Sequence, residues 1–273
     1  MRIGSCLSNG KQQATLGCFV FKSGGPKKLY VIVSRHAFRD VGDAVFKKNQ
    51  KVGFVREVTP DMPPARNNEE LDAALVELDD NVAHKLKDRA FAVRRNDKDL
   101  VFRSVFDPSS YRAVKARNAE LPVQLKAMHL MVWHCGQKSE AYSKIDVDKF
   151  AYNQQFGVIS IADMLDKTYI FSERHNRPGD SGGPIYMDSG ELVGFDGGGS
   201  GNMLPTETFG KGTTDKGFYR LAHDVFTHFG VTLATWANRA DWLPPNPVDE
   251  IGDDEDDGPF GKGAKIGVSG AYM

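Results

Sequence analysis

Hydrophobic positions along the first third of the chain fall in short runs of five to eight residues separated by turn-forming residues. Ala14–Phe21 is such a run, closed by Ser23-Gly24-Gly25-Pro26, and Leu29–Val33 is the next. The pair predicts a hairpin. Val52–Val58 and Ala73–Leu78 follow at the spacing of an all-β barrel, separated by a loop rich in proline (Pro60, Pro63, Pro64). Residues 81 to 125 carry mixed patterning and many charges, with Leu100–Phe106 as the clearest strand. A second β-rich region opens with His129–His134, turns at Cys135–Ser139, and continues through Ile185–Met187 and Leu192–Gly201. Leu221, Val225, Phe226 and Phe229 share one helical face, so a helix is expected over 222–229 with Gly230 as its stop. Beyond Trp242 the prolines, the acidic run Asp253–Asp257 and a glycine-rich end offer nothing from which to build a core.

Composition narrows this picture. At 273 residues with 40% hydrophobic and 26% charged residues, the chain is that of an ordinary globular protein. No apolar run approaches the length of a membrane span, and no signal-peptide core follows Met1. Three cysteines are an odd set without metal-like spacing, which fits reduced thiols and a cytosolic or host-cell interior location, a virus-encoded protein included. No metal or other cofactor is expected.

The net charge of −1 conceals an asymmetry. From Asp241 onward eight acidic residues face two basic ones, whereas the remainder is net positive by five. Residues 81 to 130 hold eleven Lys/Arg against five Asp/Glu. That stretch lacks the interleaved aromatics of a nucleic-acid surface, so a solvated connector is expected rather than a nucleic-acid or membrane partner.

The candidate chemistry lies in Gly179-Asp180-Ser181-Gly182-Gly183-Pro184. Glycines at these positions allow a tight open turn that exposes a serine hydroxyl. The N–H groups of Gly179 and Ser181 are spaced to converge on one oxyanion. Far upstream, His36 stands just past a predicted strand end with small Ala37 behind it, suited to a general base. Asp72 opens the strand Ala73–Leu78, although Asp61, Asp79 and Asp80 compete by proximity. His134 and Cys135 raise a Cys/His nucleophile reading, but neighbours on one strand point to opposite faces.

The six-residue nucleophile turn, the segment Ser34-Arg35-His36-Ala37 and the pattern Asp72-x-Ala-Leu resemble the chymotrypsin/trypsin-like serine proteases. The resemblance extends over residues 14 to 232 and is closest to members without disulfides or a zymogen junction. It implies an all-β fold of two six-stranded antiparallel barrels with a C-terminal helix and a disordered acidic tail. The divisions are a first barrel over 10–100 carrying His36 and Asp72, a connector over 101–126, a second barrel over 127–233 carrying Ser181, and a tail over 240–273. It further implies a serine endopeptidase acting on a protein or peptide bound in extended form. The substrate would lie along Asp196, Gly197, Gly198 and Gly199, with His175 and Asn176 at the pocket base. A protease that processes its own chain and a silent protease-like binding module are the other two classes compatible with these residues. Without a freed N-terminal isoleucine, Asp180 has no ammonium partner of the zymogen kind.

Overall fold

In the computed structural model the described residues are 1–61, 71–95, 98–109, 129–136, 154–160, 169–173, 179–199 and 216–245. The hydrophobic runs become strands because their side chains are β-branched, aromatic or aliphatic and are buried on a sheet face. The first sheet draws on β1 (Cys6–Ser8), β2 (Gln13–Thr15), β3 (Cys18–Lys22), β4 (Tyr30–Ser34), β5 (Ala44–Lys47), β6 (Gln50–Val58) and β7 (Ala73–Leu78). After a short helix α1 (Asp80–Ala83) come the hairpin β8 (Ala92–Arg95) and β9 (Lys98–Val101), then β10 (Ser104–Val105). The second sheet contains β11 (His129–Cys135), β12 (Gln154–Ser160), β13 (Tyr169–Glu173), β14 (Pro184–Tyr186), β15 (Glu191–Gly199) and β16 (Lys216–Leu221). The expected helix is present as α2 (Ala222–Phe229), stopped by Gly230 at φ 63°. β17 (Val231–Leu233) and α3 (Arg239–Trp242) follow.

Strand order in the first sheet is β17-β3-β4-β7-β6-β5-β1-β2, and in the second β12-β11-β14-β15-β16-β13, with β10 added in parallel to β15. This is an all-β architecture of two large sheets, antiparallel except for β10, with the β8–β9 hairpin as a small third. The run expected as one strand over 14–21 is two strands broken at Leu16-Gly17. The reason is a close approach: a Cβ on Gly17 would lie 2.6 Å from the Gly182 carbonyl oxygen and 2.7 Å from the Phe195 ring. Leu100–Phe106 is likewise divided between β9 and β10. Residues 231–233, expected within the second barrel, pair instead with β3 (Thr232 opposite Phe21), because Gly230 turns the chain back toward the first sheet. The tail beyond residue 245 lies outside the described residues.

The core of the first sheet is continuous, from Leu7, Leu16, Phe19 and Ile32 through Leu75 and Val76, all fully buried. Phe91 and Trp242 complete it, with ring centroids 5.1 Å apart. Phe195 of β15 and Phe226 of α2 stack at 6.5 Å and carry the packing across to the second sheet.

Candidate active site

Antiparallel pairing of β4 with β7 aligns Ser34 with Ala73. The residues just after β4 therefore face the residue just before β7. β4 runs into a single 3-10 turn, Arg35–Ala37, and the Arg35 N–H donates to the Asp72 carbonyl at 3.1 Å. Asp72 itself adopts φ 44°. This left-handed conformation is one that aspartate tolerates better than most residues because its short side chain bonds locally. That is what it does. Oδ1 accepts the backbone N–H of His36 at 2.9 Å, and Oδ2 lies 2.8 Å from His36 Nδ1. The aspartate side chain is 6% exposed and the histidine ring 39% exposed, so the inner nitrogen is anchored while the outer edge is open.

Charge follows geometry. Burial disfavours the imidazolium of His36, but the hydrogen bond and charge of Asp72, with a further contribution from Asp196, outweigh it and raise the pKa above the ordinary 6.5. Burial likewise disfavours the Asp72 carboxylate, yet its bonds to His36 and the positive charges of His36 and Arg220 hold the pKa below 3.8.

The serine turn is assembled by glycines in the left-handed region, Gly179 at φ 100° and Gly182 at φ 87°. Gly183 N–H closes it onto the Asp180 carbonyl at 2.8 Å. β15 clamps it from one side: Gly182 donates to the Asp196 carbonyl at 2.7 Å, and Asp196 donates to the Gly183 carbonyl at 2.8 Å. Thr15 of β2 holds it from the other side, its N–H on the Ser181 carbonyl at 2.8 Å and its hydroxyl on the Gly179 carbonyl at 2.9 Å. A Cβ on Gly182 would lie 2.6 Å from the Thr15 carbonyl oxygen and 2.9 Å from the Ser34 nitrogen. The turn that presents Ser181 therefore abuts the end of β4, two residues before His36. Among the described residues, neither the Gly179 nor the Ser181 N–H donates to a backbone carbonyl. N–H groups left without a backbone acceptor are what an oxyanion site requires.

Asp196 is 2% exposed, with Oδ2 3.7 Å from His134 Nε2, and that ring underlies the serine turn, 2.9 Å from where a Gly183 Cβ would be. Cys135 faces the other way, its Sγ 2.7 Å from the Cβ position of Gly4. The two side chains do diverge. Gly197 continues β15 past Asp196, and Gly198 and Gly199 pair with Phe218 and Gly217 of β16. His175 and Asn176 lie outside the described residues. Sequence reasoning missed Thr15, Ser34 and the His134–Asp196 contact. Only Ser34 left a trace there, as a polar residue ending an otherwise apolar strand.

No family model matches the chain, and no curated protein does. Solved structures do. A Nocardiopsis protease superposes with a TM-score of 0.53 at 17% identity, covering 86% of this chain and 98% of that one. A glutamic acid specific serine protease described as using a histidine triad in substrate binding gives 0.54 at 14% identity, over 86% and 100%. The chain has the chymotrypsin-like fold. A Cellulomonas bogoriensis chymotrypsin agrees, at 0.52 and 17% identity over 86% and 98% of the two chains. In this chymotrypsin-like fold the first sheet supplies His36 and Asp72, and the second supplies the serine turn.

Proposed function

We propose that the protein is a serine endopeptidase in which Ser181 is the nucleophile, His36 the general base and Asp72 the residue that orients it. The observation that carries this reading is the two-point grip of Asp72 on His36, through the backbone N–H and through Nδ1. A carboxylate on Nδ1 fixes the tautomer whose bare Nε2 accepts a hydroxyl proton, and it stabilises the imidazolium that results. Ser181 Oγ adds to the scissile carbonyl, and the developing oxyanion is met by the N–H groups of Gly179 and Ser181. The imidazolium then returns its proton to the leaving amine. Water repeats the sequence on the acyl-enzyme.

The edge of β15 suits an extended substrate. β14 begins opposite Phe195 and runs back toward Leu192, so from Gly197 to Gly199 the edge of β15 away from β16 has no strand partner among the described residues. Main-chain bonding of a peptide there is strand addition, with Gly197–Gly199 presenting no side chain to obstruct it. Cys6, Cys18 and Cys135 are free thiols, which supports a reducing compartment.

A labelled fluorophosphonate tests the reading. Wild-type protein should be labelled at Ser181, and Ser181→Ala and His36→Ala should not. Labelling that persists in Ser181→Ala refutes the assignment. The intact mass of the wild-type chain against Ser181→Ala after expression reveals whether the chain cuts itself.

A further inference from the structure

The charge asymmetry of the chain finds a place in the fold. Ile3 N–H donates to the Ala90 carbonyl at 3.0 Å, which sets Arg2 beside the short 3-10 turn Asp88–Phe91 and its Arg89. The Ser5 hydroxyl oxygen accepts the Arg2 N–H at 3.1 Å and Lys47 Nζ at 3.4 Å. Arg2, Lys47 and Arg89, from three separate stretches of the chain, therefore share one patch. Their crowding is felt by the amino group of Met1. Burial lowers its pKa to about 5, and Lys47, Arg2 and Arg89 add to the effect. Among the described residues, neither Lys47 nor Arg89 is paired with a carboxylate. The acid nearest in sequence, Asp88, turns its Oδ1 to the Arg89 backbone N–H instead, at 2.6 Å.

The chain leaves the described fold at the same place. Trp242 packs on Phe91 with ring centroids 5.1 Å apart, and Arg89 stands two residues before Phe91, at most about 7 Å along the backbone. Pro245 is the last described residue, and the run Asp253-Asp254-Glu255-Asp256-Asp257 begins eight residues beyond it. Eight residues reach at most about 28 Å, which exceeds the width of a patch whose cations all act on one amino group. A run tethered so closely meets the patch at an effective concentration on the order of millimolar, ahead of a free polyanion of equal charge.

We propose that the acidic run Asp253–Asp257 docks in cis on the basic patch of Arg2, Lys47 and Arg89 and covers it against other polyanions. The inference stands apart from the endopeptidase reading, since no catalytic residue enters it. Exposed charge pairs are individually weak and are screened beyond about 8 Å at physiological salt, so the docking is salt-sensitive.

Carbodiimide coupling of the full-length wild-type chain at low salt, read by mass spectrometry, tests this. Lys47 should join a carboxylate of 253–257 within one chain, and the yield should fall at least fivefold in 1 M sodium chloride. Links spread evenly over exposed Lys11 and Lys27 overturn the proposal, as do links found only between two chains. A second measurement uses a labelled peptide of sequence Glu250–Gly258 added in trans. The full chain carrying Asp253→Asn, Asp254→Asn, Glu255→Gln, Asp256→Asn and Asp257→Asn should bind it at least tenfold more tightly than wild type does. Adding Lys47→Glu and Arg89→Glu should abolish that binding. Equal binding by wild type and the neutralised chain overturns the proposal. So does a neutralised chain that takes a single-stranded oligonucleotide but not the peptide.

Discussion

Replacing Asp72 with asparagine isolates one charge in a site whose backbone is unusual. Asp72 sits at φ 44°, and asparagine is the substitute best able to keep that conformation. The amide oxygen can remain on the His36 N–H, where Oδ1 now accepts at 2.9 Å. The NH2 then occupies the place of Oδ2, facing Nδ1–H and the Ser34 hydroxyl. Donor confronts donor. The imidazole relieves this by moving its proton to Nε2, the atom that must accept the proton of Ser181. The rate of peptide hydrolysis should fall by on the order of 10⁴, equivalent to about 5 kcal/mol in the barrier, as in the acyl-transfer template.

The same substitution reads out in stability. One charge-assisted bond contributes about 1.5–3 kcal/mol, and the low end applies because the 39% exposed ring is screened by water. That corresponds to a Tm lowered by roughly 3–6 °C. The pH dependence has two limbs. Asp72 has a depressed pKa, so its contribution is present above 3.8 and lost as pH falls through its folded value. His36 has a raised pKa, so its contribution is present below 6.5 and lost as pH rises through its folded value. The difference in Tm between wild type and Asp72→Asn should therefore be widest between pH 3.8 and 6.5 and should narrow on both sides. Hydrolysis within threefold of wild type, or a Tm gap that is flat across pH, would refute this account of Asp72.

Further outcomes follow from the same geometry. The kcat/KM of wild type should rise with pH through an apparent value above 6.5, because His36 must be neutral to act as base, and a midpoint below that would contradict the effect of Asp72. Gly182→Ala should abolish labelling and lower Tm, since it forces φ 87° on alanine and drives its Cβ to 2.6 Å from the Thr15 carbonyl oxygen. Gly25→Ala, with open space around its Cβ, should leave both unchanged. Thr15→Val removes the hydroxyl from the Gly179 carbonyl and should reduce kcat/KM by about fivefold to tenfold with little change in Tm.

What the sequence made legible was local. A histidine two residues beyond an apolar strand, and an aspartate directly before another, are readable in one dimension. Antiparallel pairing of those strands is enough to bring His36 and Asp72 to 2.8 Å. The serine turn is legible for the same reason, its glycines being demanded by positive φ within six residues. The contacts that join the parts were not legible. Thr15 and Gly179 are 164 residues apart, and nothing near either one announces the other. The break at Gly17 arises from a carbonyl oxygen and an aromatic ring of the second sheet. Periodicity reports which face is buried and says nothing of what presses against it.

The return of β17 to the first sheet has a consequence in time. A ribosome makes His36 and Asp72 early, along with most of the sheet that holds them. The outer strand covering β3 is residues 231–233, and the indole that packs against Phe91 is Trp242. Both arrive after Ser181. Until then β3 has an open edge, and the core around Phe19 and Phe91 lacks its last aromatic ring. The sheet that holds His36 and Asp72 is therefore finished only after the serine turn and α2 have been made.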